Sequence, residues 1–509
     1  MAGIETSDKD NAPRLRTRIS GWVRANRKEA WFLVGLLSVS WLLLFFNIGN
    51  TMHFAGDESR DAFIVRDLIR HGDMPLLGPS VSIGDMSFRL GPAFYYVLAP
   101  GYLLFGGSPV GGAVIVAFLS WLSVLLLYVF VRKISGVRVA AISSALYAVS
   151  MMMVQYGRWA WNPNPLPFFV MALFVIFLAL AKKECRRRTA LAILFGVCFG
   201  IAIQLHGTAL FAFPFIVLAF FIVARIKLKW HHYAAGVFAF LFVNLPQIIY
   251  EAQNNFSNVK LILNVVRAGN SEHHTFWWRM LHTAGQFRDF FYEALLQEQL
   301  KALTVVFCFL AFGVILWRVM RSVREHRRDI GGWMLLLWIG IPYIIYHAFQ
   351  SQMFPHYFMI IFPFPFICIA LAIDLLWKKK YIRSIALAAV VAYAALSLYQ
   401  SGTFLYDLRS HGSRVTSHKL TLQDMQDVLK IIRSDAGLSP ISIRTLPIDY
   451  QKGFSYLSEE SGIAVNAEAG TVYTIVSEKE AAIPIELRKE TNIFARDENV
   501  AIYKEEQID

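Results

Sequence analysis

The chain has 509 residues, of which 56% are hydrophobic and only 17% charged, far more apolar than a soluble domain. Its net charge of +13 does not indicate a nucleic-acid binder, because Lys and Arg gather in short clusters between apolar runs. That distribution is the one the positive-inside rule gives a polytopic membrane protein.

Residues 1–28 are polar and basic with no apolar core, so no cleavable signal peptide is evident and the first apolar run, 31–48, reads as a retained anchor. Arg14, Arg16, Arg18, Arg24, Arg27 and Lys28 precede it, which puts the N-terminus in the cytoplasm and the next stretch outside. That stretch, 53–104, opens on the acid pair Asp57-Glu58. A short amphipathic helix follows, with Ala62, Val65 and Leu68/Ile69 at helical spacing, a stop at His71-Gly72 and Pro75 beyond. Asp57 reads as the N-cap of this helix or as an acid facing a pocket, and the two roles are compatible. Phe88-Arg89-Leu90-Gly91-Pro92 then leads into the aromatic run Phe94, Tyr95 and Tyr96. Acids at a membrane mouth, an interfacial helix and a lone Arg before an aromatic belt suggest a site for a charged lipid headgroup.

Residues 92–105 are apolar but short and broken by Pro100-Gly101, so they read as a juxtamembrane helix lying in the interface. Ten further spans follow, near 112–131, 139–154, 166–181, 190–204, 208–224, 233–250, 303–319, 333–349, 357–377 and 385–398. With this total of about eleven, the clusters at Arg132-Lys133, Lys182-Lys183, Arg225 to Lys229, Arg321 to Arg328 and Lys378 to Lys380 all fall inside. Counting 92–105 as a span would put them outside, against the rule. The expected division is a transmembrane domain over 1–400 and a small extracytoplasmic α+β domain over 401–509. In the latter, Thr421 to Asp424 resembles a capping box before an amphipathic helix carrying Leu422, Met425, Val428, Leu429 and Ile432. Short strands are expected at 441–444, 472–476 and 500–503.

The polar groups expected outside are Asp57, Glu58, Arg89, Arg158, Asn162, Asn164, His206, Glu272, His273, His274 and His356. The spans themselves are nearly free of acids, which argues against a polar transport path through the membrane. No phosphate-cradling glycine loop and no GxSxG element is present. The four cysteines support neither a disulfide framework nor a cysteine metal site, since Cys185 falls in a basic loop and Cys198, Cys308 and Cys368 fall in apolar runs.

These features resemble the GT-C membrane glycosyltransferases of the protein O-mannosyltransferase and lipid A aminoarabinose transferase group. The resemblance rests on Asp57-Glu58 just after the first span, the segment from Phe63 to Pro75, the Phe88-Arg89 to Tyr96 stretch, and His356-Tyr357 opening a late span, in matching order over roughly 30–400. It implies an inverting enzyme that moves a sugar from a polyprenyl-phosphate donor to the hydroxyl of a lipid, glycan or protein acceptor on the extracytoplasmic face. Asp57 is then the expected base. Arg89, expected close to it, with Arg158 and His356, would bind the donor phosphate, a guanidinium being suited to bidentate phosphate contacts. Glu58, Tyr95, Asn162 and His206 are candidates for the sugar or acceptor. No cofactor is certain; Glu58 with His273 and His274 is the candidate set for a divalent metal. The sequence departs from many relatives in the second outer loop, where Arg158, Asn162 and Asn164 stand in place of an acid. A lipid-headgroup carrier or flippase and a polysaccharide ligase or polymerase are the other classes that fit a multispanning chain of this kind.

Overall fold

The structure, a computed structural model, describes residues 15–83, 86–182, 187–268, 275–295, 301–349, 353–377, 380–411, 420–477, 493–496 and 500–506. Among them, seven helices are long and apolar enough to cross a membrane: Arg27–Phe45, Val110–Ser135, Arg188–Leu205, Gly207–Ala224, Thr304–Arg324, Ile330–Ala348 and Arg383–Arg409. Three more pairs qualify if each is one bent span: Val137–Val149 with Met151–Gly157, Trp230–Val243 with Leu245–Gln253, and Pro355–Ile361 with Phe364–Trp377, bent by 61°, 63° and 57°. Pro246 is the second residue of the second half of one pair, and in another Pro363 lies in the break with Pro365 just beyond it, where a ring without an N–H interrupts the helical ladder.

Against the expected total of eleven, the described residues give seven to ten by length and composition. The difference lies at 166–181, which forms the 15-residue helix Leu166–Leu180. Eleven of its fifteen residues are buried inside the bundle, so protein covers most of its surface. Residues 92–105 form the shorter helix Ala93–Leu104. It crosses Val110–Ser135 so closely that a Cβ on Gly101 would meet the Gly111 carbonyl oxygen at 2.2 Å, and one on Gly111 would meet the Gly101 oxygen at 2.3 Å.

Charged side chains mark one end of this bundle. Arg132 pairs with Glu29 at 2.5 Å, Arg138 with Asp374 at 2.6 Å and Arg318 with Asp329 at 2.6 Å, while Arg318 also donates to Ser135 Oγ at 3.0 Å. Chain continuity carries residues 53–57, 158–164, 206 and 356 to the other end. The middle is aromatic: Trp338 donates to the Ile360 carbonyl at 2.8 Å, with Phe174 and Phe364 packed edge-on against its ring.

A two-stranded hairpin, β1 (Ser80–Ile83) with β2 (Met86–Arg89), precedes the Ala93–Leu104 helix. The helix Lys380–His411 runs unbroken through residue 400, past the expected domain boundary. Thr421 and Asp424 form a reciprocal capping box that starts the helix Leu422–Ala436, whose buried face carries Leu422, Met425, Val428, Leu429 and Ile432. Beside it lies a four-stranded sheet of β3 (Ser442–Leu446), β4 (Thr471–Ser477), β5 (Ile493–Arg496) and β6 (Val500–Glu506), in the order β3-β4-β6-β5. β3 and β4 are parallel and the other pairs antiparallel.

A second helix of this part, Gln451–Glu460, docks on the acidic helix Gly56–Arg70. Phe54 and Phe63 pack edge-on against Tyr456, Arg66 meets Glu459 at 2.7 Å and Arg70 meets Glu460 at 2.8 Å. The Tyr456 hydroxyl donates to the Gly107 carbonyl at 2.6 Å, and the Leu422 N–H donates to the Met52 carbonyl at 3.0 Å. The C-terminal segment thus braces the polypeptide on both sides of Asp57.

Candidate active site

The acidic helix starts from an extended Ala55, through Gly56 at φ +45°, a conformation glycine adopts without steric cost. Ala55 is the N-cap, with no side-chain bond, so Asp57 does not cap the helix. It sits in the first turn with Glu58, where the helix dipole favours negative charge. Its side chain is 46% exposed, and both oxygens are held: Arg60 Nη1 donates to Oδ1 at 2.6 Å and Trp161 Nε1 to Oδ2 at 2.9 Å.

The cation at Asp57 is therefore Arg60, one turn along the same helix, in place of the expected Arg89. Arg60 also reaches inward, with Nε and Nη2 at 2.8 and 2.7 Å from Asp61 Oδ1. Asp61 is 1% exposed. Burial pushes its carboxyl up to about 7, against the opposing pull of Arg60 and with further upward pressure from Asp57 and Glu58. Tyr95, fully buried on the neighbouring helix, lies within the fields of Asp61, Arg60 and Arg89, and its burial raises its hydroxyl above the ordinary value.

Arg89 closes β2. Its main-chain N–H and carbonyl both bond to the Asn258 side chain, at 2.7 and 2.9 Å, and its Nε donates to the Gly78 carbonyl at 2.7 Å. The residue is exposed, so this frame presents the rest of the guanidinium outward.

Aromatic rings wall the other side of Asp57. Trp159 stacks on Trp161 at 4.6 Å, Trp161 meets the His356 ring at 4.4 Å, and His356 meets His206 at 5.5 Å. His206 Nδ1 accepts the Thr208 N–H at 3.2 Å, capping the helix Gly207–Ala224. Burial and the adjacent His356 push the His206 imidazole down to about 3, which leaves it neutral at pH 7.

Two of the expected ligands bond to the protein itself. Arg158 is 4% exposed and donates to the Leu44 carbonyl at 2.7 Å and to Thr51 Oγ1 at 2.7 Å, closing the C-terminal turn of Arg27–Phe45. Asn162 donates to the Leu205 carbonyl at 2.5 Å. Glu58 is buried with His53, whose Nδ1 lies 3.1 Å from Oε2. His273 and His274 lie outside the described residues, and among the described residues no group of three or more His, Cys, Asp or Glu is disposed to hold a metal ion.

Residues 90–250 match the family model described as dolichyl-phosphate-mannose-protein mannosyltransferase. An uncharacterized protein of Aquifex aeolicus (strain VF5) is 26% identical over 380 residues, covering 72% of this chain and 70% of the relative. Among solved structures, ArnT from Cupriavidus metallidurans bound to undecaprenyl phosphate superimposes with a TM-score of 0.53 at 15% identity, over 95% of this chain and 98% of that one. The archaeal oligosaccharyltransferase AglB from Archaeoglobus fulgidus, in complex with an inhibitory peptide and a dolichol-phosphate, gives 0.51 at 13% identity, over 89% and 70%. The fold is that of the GT-C membrane glycosyltransferases.

On this GT-C fold the sequence expectations overlooked Arg60, Asp61, Trp161 and Gln204. Arg60 was legible, because a cation three residues after an acid on a helix is its neighbour. Gln204 accepts the Ala93 N–H at 3.1 Å and donates to Asn244 Oδ1 at 3.0 Å, locking the start of Ala93–Leu104 to two other helices. No local pattern announces such a long-range tie. Trp161 lay in a loop whose Trp159, Trp161 and Asn-Pro pairs read more readily as an interfacial aromatic belt and turn.

Proposed function

We propose that this chain is an inverting glycosyltransferase that moves a sugar from a polyprenyl-phosphate donor to an acceptor hydroxyl, at the end of the bundle facing away from the cytoplasm. The observation that carries the reading is the half-exposed Asp57 carboxylate, fixed by Arg60 and Trp161 on a GT-C fold. ArnT with bound undecaprenyl phosphate and AglB with bound dolichol-phosphate make a polyprenyl-phosphate donor the natural class here too.

In this scheme Asp57 takes the proton of the acceptor hydroxyl as its oxygen bonds to the anomeric carbon. The carbon–phosphate-oxygen bond breaks on the opposite face, and the bonding pair leaves with the lipid phosphate. Phosphate is already a good leaving group, so the protein's contribution is a cation at the developing charge. Arg89 supplies it, its main chain anchored by Asn258. His356 packs against Trp161 beside Asp57, Tyr95 lies buried on the neighbouring helix, and Arg158 and Asn162 serve the scaffold.

The test uses purified protein, a panel of undecaprenyl-phosphate-linked sugars beginning with mannose, and release of undecaprenyl phosphate as the readout. Asp57→Asn keeps the size of the side chain and should bind undecaprenyl phosphate normally, yet lose transfer by about a hundredfold or more. Near-normal turnover by this variant would overturn the assignment of the base.

A further inference from the structure

We infer that Asp61 is a positioning residue that sets the strength of Asp57 as a base, acting through the Arg60 guanidinium that the two carboxylates share. This inference rests on Asp57 being the base and adds a second, buried carboxylate to that reading.

The geometry gives Arg60 two unequal partners. Two of its nitrogens converge on Asp61 Oδ1, at 2.8 and 2.7 Å, while a single nitrogen reaches Asp57 at 2.6 Å. Asp61 is walled in at 1% exposure, whereas Asp57 opens to its surroundings at 46%. When Asp61 is ionised, the guanidinium charge is matched from inside the protein, and Asp57 keeps its own negative charge for the acceptor proton. When Asp61 is protonated, the whole cationic charge falls on Asp57. An unshared cation at hydrogen-bond distance lowers the proton affinity of a carboxylate, and the low dielectric around a buried group strengthens the effect. Asp57 then remains ionised but becomes a weaker base.

The other groups facing Asp61 fit this division of labour. Asp57 and Glu58 on its own helix press its carboxyl upward, as does burial, and only Arg60 opposes them. From the adjoining helix it faces Tyr95 and Tyr102, both of which feel its charge and stay protonated through the neutral range. Arg89 acts on Tyr95 and Tyr456 on Tyr102. Asp61 is thus placed to titrate near neutrality, about 7, whereas a free aspartate titrates near 4. Transfer should rise with pH as Asp61 ionises.

The experiment is a pH–rate profile for full-length wild type, Asp61→Asn and Asp57→Asn, using undecaprenyl-phosphate mannose or the sugar of the panel that turns over fastest. Wild type should show an acid limb with its midpoint near 7. Asp61→Asn should lose that limb, transfer on the order of tenfold more slowly on the alkaline side, as for a one-unit change in the proton affinity of the base, and bind undecaprenyl phosphate no more weakly than wild type. A merely structural Asp61 would scale the whole profile and leave its midpoint in place, and that outcome overturns the inference. Should Asp61→Asn fail to fold, infrared spectra of wild type with isotope-labelled aspartate decide the matter. One buried carboxyl must titrate across the neutral range, and its absence overturns the inference. Loss of transfer in Asp57→Asn with an unaltered Asp61→Asn profile would remove this inference alone, whereas normal transfer in Asp57→Asn would remove the base reading beneath it.

Discussion

Arg60 and Arg89 both act on Tyr95, yet they are held in different ways and separate under mutation. Arg89 has its backbone tied to Asn258 and its fork exposed, so Arg89→Ala should leave the fold intact. It should weaken undecaprenyl-phosphate binding by about 1.5–3 kcal/mol, the range for a charged hydrogen bond, measured by calorimetry, with Lys restoring only part because it lacks the planar fork. Arg60→Gln should instead show in stability. The Asp61 carboxyl titrates higher in the folded chain than in the unfolded one, so its contribution is complete below the unfolded value and fades as pH rises through about 7. Without Arg60 opposing burial, that pKa climbs further. The melting temperature of Arg60→Gln should therefore keep falling between about pH 7 and pH 9, where wild type levels off. These differences explain what could be read in advance. Asp57-Glu58 and Arg89 stand out because charges are rare beside apolar runs. The partition of Arg60 between two acids could not be read, because it depends on which of them the packing of Tyr95 and Tyr102 buries.

Among the elements, helices followed from apolar runs, and the capping box at Thr421 from four residues of sequence. The bend angles did not follow, and for Leu166–Leu180, foreseen as an apolar run at 166–181, hydropathy measures apolar length and says nothing of whether lipid or protein supplies the surroundings. The docking of Gln451–Glu460 on Gly56–Arg70 escaped for a related reason, since its partners lie 393 residues apart. The crossing of Ala93–Leu104 with Val110–Ser135 gives the sharpest test at this scale. A methyl group on Gly111 would stand 2.3 Å from the Gly101 carbonyl oxygen, with backbone rather than a movable side chain in its way. Gly111→Ala should cost about 1–3 kcal/mol of stability, read as a lowered melting temperature, and should disturb Tyr95 on the displaced helix. An unchanged melting point would show that the helices can part without loss.

For the whole molecule, the ion pairs joining Glu29, Arg132, Arg138, Arg318, Asp329 and Asp374 gather basic loops at one end of the bundle, away from Asp57. The proposed sidedness, with those loops cytoplasmic by the positive-inside rule, would set Asp57 and the C-terminal sheet in the other compartment. A reporter fused after Asp509 that is active only outside the cytoplasm should light up, and one active only inside should stay dark; the reverse would overturn the sidedness. The clasp of Gln451–Glu460 on the acidic helix also imposes an order in time. Arg66 and Glu459 are separated by 393 residues, so at roughly 5–20 residues per second about 20 to 80 seconds of synthesis pass between them. Throughout that interval Asp57 lacks its brace, and Phe54 and Phe63 have no Tyr456 to cover them. A chain interrupted before Gln451–Glu460 would hold every residue that the proposed scheme gives to chemistry and still leave its acidic helix unsecured.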